Sequence, residues 1–306
     1  MKKQILESSG KARQTEKSAV FLRAGRSLLA ILIIFIIMVL ASCGNGSSNP
    51  LLPGPAINII ITDTDEWDAA VNTVRTGGNG KTYHFDIQGT VNVSGYSSPT
   101  FEDVTGLTVH LKGTGTVALS SNGALLDLGP SQTVYIGVTG DSGNSPTLKG
   151  KNANNRVAVN ISAGARVYLN NGAITGNRRD GISGGVGVNV ASGAVFVMNG
   201  GTVSNNEFTG AANNGSGVFV NGTFTMTGGT IKANTAVTNG GGVFVAGGVF
   251  TKTRGTIYGN GEGGNSNSVS GNGHAVYVVS SGKYRNTTAG DEVPINSSDN
   301  TGLPLP

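Results

Sequence analysis

VFVNGTFTMTGGTIKAN, residues 218–234, is the stretch that decides the fold. Val218-Phe219-Val220 and Phe224-Thr225-Met226 alternate with a period of two, the mark of short strands exposing one face and burying the other. Gly228-Gly229 punctuates the run, and Asn234 closes it. Nothing in the stretch has a helical period.

The same unit recurs on both sides. VNISAGARVYLNNGAITGN (159–177) and VNVASGAVFVMNGGTVSNN (188–206) precede it, and VFVAGGVFTKTRGTIYGN (243–260) follows. The equivalent Gly172, Gly201, Gly229 and Gly255 fall at steps of 29, 28 and 26 residues. A degenerate fifth copy, AVYVVSSGKYRNTTAG, covers 275–290. Self-similarity at this period means a solenoid. Helical repeats are excluded by the alternation, and four-stranded propeller blades need about 40 residues. Three short strands and three turns fit the step, which gives one coil of a right-handed parallel β-helix in an all-β fold.

One coil cannot bury its inner side chains alone, so neighbouring coils must stack about 4.8 Å apart. Stacking predicts columns. Val167, Phe196, Phe224, Phe250 and Tyr284 form one inner column. Val159, Val188, Val218, Val243 and Val276 form a second, and Leu169, Met198 and Met226 a third. Asn177, Asn206, Asn234 and Asn260 are expected to stack as an amide ladder at one turn. Lys252 falls in the Leu/Met column, where an ammonium is costly to bury. The expectation is a local strand rotation or a side chain that reaches out to water.

Upstream, 81–93, 107–111, 125–128 and 134–138 alternate in the same style and read as earlier coils that have drifted. The length allows eight to ten coils. Thr64-Asp65-Glu66-Trp67-Asp68-Ala69-Ala70-Val71-Asn72-Thr73-Val74-Arg75 reads as a short amphipathic helix over 64–75, capped by Thr64 or Asp65. Trp67, Ala70, Val71 and Val74 share its apolar face, and Gly77-Gly78 ends it. It is the expected plug for the N-terminal mouth.

The N-terminus carries a different message. A basic stretch leads into LLAILIIFIIMVL (28–40), which is too short to span a bilayer comfortably, and then into Leu40-Ala41-Ser42-Cys43. A positive region, a short apolar region and small residues at the cut site make a signal peptide over 1–42. Its basic region is unusually long. Cys43 is the single cysteine, which rules out disulfides and thiol-redox motifs. Its place fits a lipidation site, with 43–56 a flexible tether of turn formers. The net charge of +4 belongs to this leader, which holds seven basic and two acidic side chains. The remainder is near neutral and offers no nucleic-acid signal. The domain plan is thus leader, tether, a β-helix over 57–290 with regular repeats over 157–290, and a cap or frayed tail over 291–306.

The GVFVxGxFTMTGGTIxxN unit, the TxxEWDxAVNxV helix and the Cys43 lipobox together resemble repeat-bearing bacterial surface lipoproteins of the spirochaete type. Their fold is similar to the pectate-lyase-like β-helix. The resemblance implies surface display and implies no particular ligand.

For function, Asp180, Glu207, Glu262, Asp291 and Glu292 are scattered rather than paired as glycosidic acid–base work requires. His84, His110 and His274 lie far apart in the chain and read as solvated strand residues. No metal or cofactor motif is present, and no catalytic residue is assigned. Two surface features invite binding. Loops 178–186, 207–216, 235–241 and 261–273 leave the coil at one turn and should stack as a ridge, with Arg178 and Arg179 at its head. Phe219, Phe244 and Tyr277 take outward positions on successive coils, where they would stack on sugar rings or a partner protein, or lie under a loop. The expected role is an exported, lipid-anchored, non-enzymatic binding or adhesion module. Its expected partners are the membrane through Cys43 and a host matrix protein or glycan. A polysaccharide-acting enzyme and a structural envelope component are the alternatives.

Overall fold

The computed structural model describes residues 56–180, 184–210, 214–261, 263–279 and 282–286, and of 283–286 the backbone alone. The leader, Cys43, the tether, Glu262 and the tail over 291–306 lie outside the described residues. The described chain is an all-β, right-handed parallel solenoid of about seven turns with a single α-helix near its N-terminus.

Three parallel sheets form its faces. The first has nine strands: Ile57–Ile61, Thr82–Ile87, Leu107–Gly113, Gln132–Ile136, Arg166–Leu169, Val195–Met198, Thr223–Met226, Val249–Lys252 and Lys283–Asn286. The second has seven, from Thr90–Val93 to Thr256–Ile257, and the third six, from Leu126–Leu128 to Val276–Val278. Within each sheet every neighbour is the equivalent strand of the next coil. The solenoid is shorter than eight to ten coils because turns such as 94–106 and 137–146 take up more chain than the regular repeat.

The inner columns stand where the repeat places them. Val167, Phe196 and Phe224 are in register, Phe250 follows, and the backbone of Tyr284 pairs with Phe250. The five valines of the third face, Val159 to Val276, pair in the same way. Phe196, Phe224 and Phe250 are fully buried and stacked, with centroids 4.9 and 4.6 Å apart. Strand alternation drives this outcome: each inward residue is apolar, and each coil supplies the lid its neighbour lacks.

Lys252 departs from expectation. It is buried in register with Met226, and its strand does not rotate. The Phe224–Phe250 stack fixes the phase of that strand, so the residue two positions on must also face inward.

The amide ladder is real but differently composed. Asn154, Asn177, Asn206, Asn234 and Asn267 are all fully buried. Asn154 Nδ2 donates to Asn177 Oδ1 at 2.9 Å, Asn206 Nδ2 to Asn234 Oδ1 at 3.0 Å, and Asn234 Nδ2 to Asn267 Oδ1 at 3.0 Å. The backbone N–H of Asn177 donates to Asn206 Oδ1 at 3.2 Å and keeps the series continuous. Asn260 is exposed and takes no part. A glycine-rich detour, including a 3-10 turn at Gly263–Asn265, delays the return to the ladder until Asn267.

Helix α1 (Thr64–Gly77) packs against the first strands of the first and second faces and covers the N-terminal mouth. Its buried face is Trp67, Ala70, Val71 and Val74. Trp67 meets Phe85 edge-on at 5.9 Å and donates from Nε1 to Tyr96 Oη at 2.9 Å. The N-cap is Asp63, not Thr64 or Asp65. Asp63 Oδ1 accepts from the Glu66 N–H at 2.9 Å, while Glu66 Oε2 accepts from the Thr62 N–H at 2.7 Å. The acid three residues after Asp63 selects it among four adjacent candidates. Gly78, at φ 84°, ends the helix.

Candidate functional site

The outward positions of the first face carry the richest chemistry. Asn58, His84, His110, Tyr135 and Tyr168 are consecutive partners in the ladder. His84 and His110 sit edge to face at 4.8 Å. His110 and Tyr135 stack at 4.6 Å and 7°, and Tyr135 and Tyr168 at 4.6 Å and 10°. Thr82, Thr108, Thr133 and Arg166 flank this column on one side, and Asp86 and Lys112 on the other. All four rings are half-buried. From His110 to Tyr168 the ring faces are taken up by neighbours. A partner therefore meets ring edges, with their N–H and O–H groups, more than open aromatic planes.

The His84 ring is fixed at its Nδ1, 2.9 Å from Asn58 Oδ1 and 3.2 Å from Lys112 Nζ. In the neutral ring these contacts alternate: Nδ1–H donates to Asn58, or bare Nδ1 accepts from Lys112. Burial first, then the Lys112 charge, holds the His84 pKa below the ordinary imidazole value. Burial, His84 and Lys112 together push His110 down to about 4. Burial and the neighbouring Tyr168 raise the Tyr135 phenol. At neutral pH His110 is uncharged, and Lys112, Arg166 and Asp86 flank the column.

The His110 shift has a sign that can be checked. Its folded pKa lies below the unfolded one, so the unfolded chain binds the proton more readily. Stability is therefore complete above pH 6.5, declines between pH 6.5 and about 4, and levels off below that from this group. Urea midpoints across this window should show the slope, and His110→Gln should flatten it. An unchanged slope in the variant would assign it elsewhere.

The residues singled out from sequence fare differently. Phe219, Phe244 and Tyr277 do stack, at 5.3 and 5.4 Å. Phe244, however, is only 6 % exposed. Loop glycines lie over the column: a Cβ on Gly240 would come within 2.7 Å of Phe244 Cβ, and one on Gly215 within 2.8 Å of Phe219 Cδ2. Phe244 is thus packed under its own loops, while Phe219 and Tyr277 are half-buried, as the first-face rings are. Arg178 pairs with Glu207 at 3.0 Å, and Arg179 lies over the Phe208 ring at 5.7 Å while Nη1 donates to Gly185 O. The two arginines belong to a short parallel ladder, Arg178–Arg179 against Glu207–Phe208, and clamp one coil to the next.

The loop ridge is present. Glu207, Thr235 and Ser268 bridge in parallel at its base, and Asn239 joins Asn214 and Asn272 further along. The last loop enters the ridge at Ser268 rather than 261, for the reason that displaces Asn260. Cys43 lies outside the described residues. Among those described, no group of three or more His, Cys, Asp or Glu could hold a metal ion, and no helix is long and apolar enough to cross a membrane.

No family model, curated protein or solved structure matches this chain. The role must therefore be read from its own surface.

Sequence reading treated His84 and His110 as isolated and passed over the first-face column. A signal was there. Tyr83-His84-Phe85, Val109-His110-Leu111, Val134-Tyr135-Ile136 and Val167-Tyr168-Leu169 share one pattern, an edge-polar aromatic between two inward apolar residues. Its irregular spacing departs from the fixed step of the later repeats.

Proposed function

We propose that this chain is an exported, lipid-anchored surface protein whose β-helix works as a non-enzymatic binding module. Its first face engages an extended glycan or matrix polymer along the solenoid axis. The stacked His84–His110–Tyr135–Tyr168 column carries this reading. It is a rigid, half-buried, hydrogen-bonding strip whose groups repeat at the coil spacing, and rigid aromatic groups of this kind dominate binding surfaces. The lipobox at Cys43 and the turn-forming tether support display at a membrane, in the manner of the spirochaete-type lipoproteins the sequence resembles.

The purified protein is expected to bind within a panel of glycans and matrix proteins, with Tyr135→Ala weakening affinity about tenfold or more. A Phe219→Ala variant, altered on the third-face aromatic track, should bind as the parent does. Metabolic labelling with palmitate should mark the parent, and Cys43→Ala should abolish the label. Silence across broad panels, or full binding by Tyr135→Ala, would remove the first face from the reading. Release of sugars from a polymer substrate would favour the enzyme alternative, and envelope defects on deletion without loss of binding the structural one.

A further inference from the structure

Asn171 precedes Gly172 in the turn between the first and second faces. Asn–Gly is a chemically exposed dipeptide, because glycine has no Cβ to shield its nitrogen from the preceding side-chain amide. The chain uses this pair in many of its turns, and in most the glycine nitrogen is held elsewhere. Gly80 donates to Thr105 O at 2.9 Å, Gly123 to Asn154 Oδ1 at 3.0 Å and Gly200 to Leu169 O at 3.1 Å. Gly215 donates to Asn239 O at 3.0 Å, Gly222 to Val190 O at 3.0 Å and Gly240 to Asn272 O at 3.1 Å. Each of these bonds points the N–H at another coil, away from the side chain it would attack.

Asn260–Gly261 and Asn272–Gly273 are two further pairs, and Gly172 differs from all eight of these described pairs in one contact. Its N–H donates to Oδ1 of Asn171 itself, at 2.8 Å. The contact holds the nitrogen beside the side-chain carbonyl group, so that once its proton is lost Asn171 Cγ is the neighbouring electrophile. Asn171 is half-buried at the surface of the turn, within reach of solvent.

We infer that Asn171 is a site of spontaneous, structure-directed deamidation. Gly172 N gives its proton to a solvent base and bonds to Asn171 Cγ. The Cγ–Nδ2 bond breaks, the nitrogen takes up a proton and leaves as ammonia, and a five-membered succinimide remains. Water then adds to either ring carbonyl and opens it to aspartate or isoaspartate at 171. One water is consumed and one ammonia released, with no change of oxidation state. The product alters the turn. Asn171 Nδ2 donates to Asp141 O at 2.9 Å, whereas a carboxylate there has no hydrogen to give and faces a carbonyl oxygen. The contact between coils at 141 and 171 is lost, and a negative charge appears.

The test incubates the full chain in detergent micelles in mildly alkaline heavy-oxygen water, followed by proteolysis and mass spectrometry. Labelled acid at 171 is expected to accumulate about tenfold faster than at Asn79, Asn122, Asn199, Asn214, Asn221, Asn239, Asn260 or Asn272. In concentrated denaturant the lead should vanish, because the dipeptide is then the same at every position. Asn171→Gln should delete the labelled product at that position and leave the others unchanged. The inference is overturned if Asn171 reacts no faster than those eight in the folded chain, or if its lead survives denaturation.

Discussion

Asn234→Ala is expected to lower the unfolding free energy by about 3–5 kcal/mol. Asn234 Oδ1 accepts from both the backbone N–H and the side-chain amide of Asn206, at 3.1 and 3.0 Å. Its Nδ2 donates to Val203 O, Lys232 O and Asn267 Oδ1, each at 3.0 Å. The side chains of Asn206, Asn234 and Asn267 are fully buried. Truncation removes the acceptor of the Asn206 N–H and side-chain amide and the donor to Val203 O, and each buried group left unpaired costs about 1–3 kcal/mol. Asn199→Ala is the matched control. It also removes a stacked amide, bonded to Asn170 at 2.9 Å and Thr227 at 2.7 Å, but from a turn open to solvent. Its expected cost is about 1 kcal/mol or less. Urea unfolding gives both values, and hydrogen exchange of the amides around 203–234 locates the damage. Equal, small losses in the two variants would mean that the interior ladder contributes no more than the exterior one.

Phe224→Ala should cost a similar amount, about 3–5 kcal/mol, through a different cause. The ring is fully buried between Phe196 and Phe250. Removing it opens a cavity in the middle of a stack, and the parallel strands on either side cannot close in without breaking their register. Phe224→Leu keeps most of the volume and should cost less than about 1.5 kcal/mol. An alanine variant within about 1 kcal/mol of the parent would show that the interior collapses around the gap.

These two positions also mark what the sequence made legible. Phe224 and Asn234 belong to the regular unit, and there a fixed step was enough to place both column and ladder. Legibility failed where the chain departs from the step. Asn260 ends its segment as Asn234 does, yet the detour through 261–266 hands the ladder to Asn267. Lys252 was expected to turn outward on the cost of its charge, but the register of four paired residues outweighs the preference of one. Phe244 was correctly set on the outward side of its strand. What a pattern of alternation does not reveal is that an outward ring can still be roofed by the glycines of a neighbouring turn. The first-face column was missed for a related reason: between His84 and Tyr168 the coils differ in length, so equivalent residues are found by strand pairing and not by counting.

Parallel pairing throughout has a mechanical consequence. Backbone hydrogen bonds between coils run along the solenoid axis, so a pull along that axis loads each bond lengthwise instead of shearing a whole sheet at once. Tension should then peel the solenoid from an end, one coil after another. Each regular coil of 26–29 residues releases on the order of 90–100 Å of chain at ~3.3–3.6 Å per residue. Held at one end and tugged at the other, such a solenoid yields by lengthening in steps, as a shock absorber does.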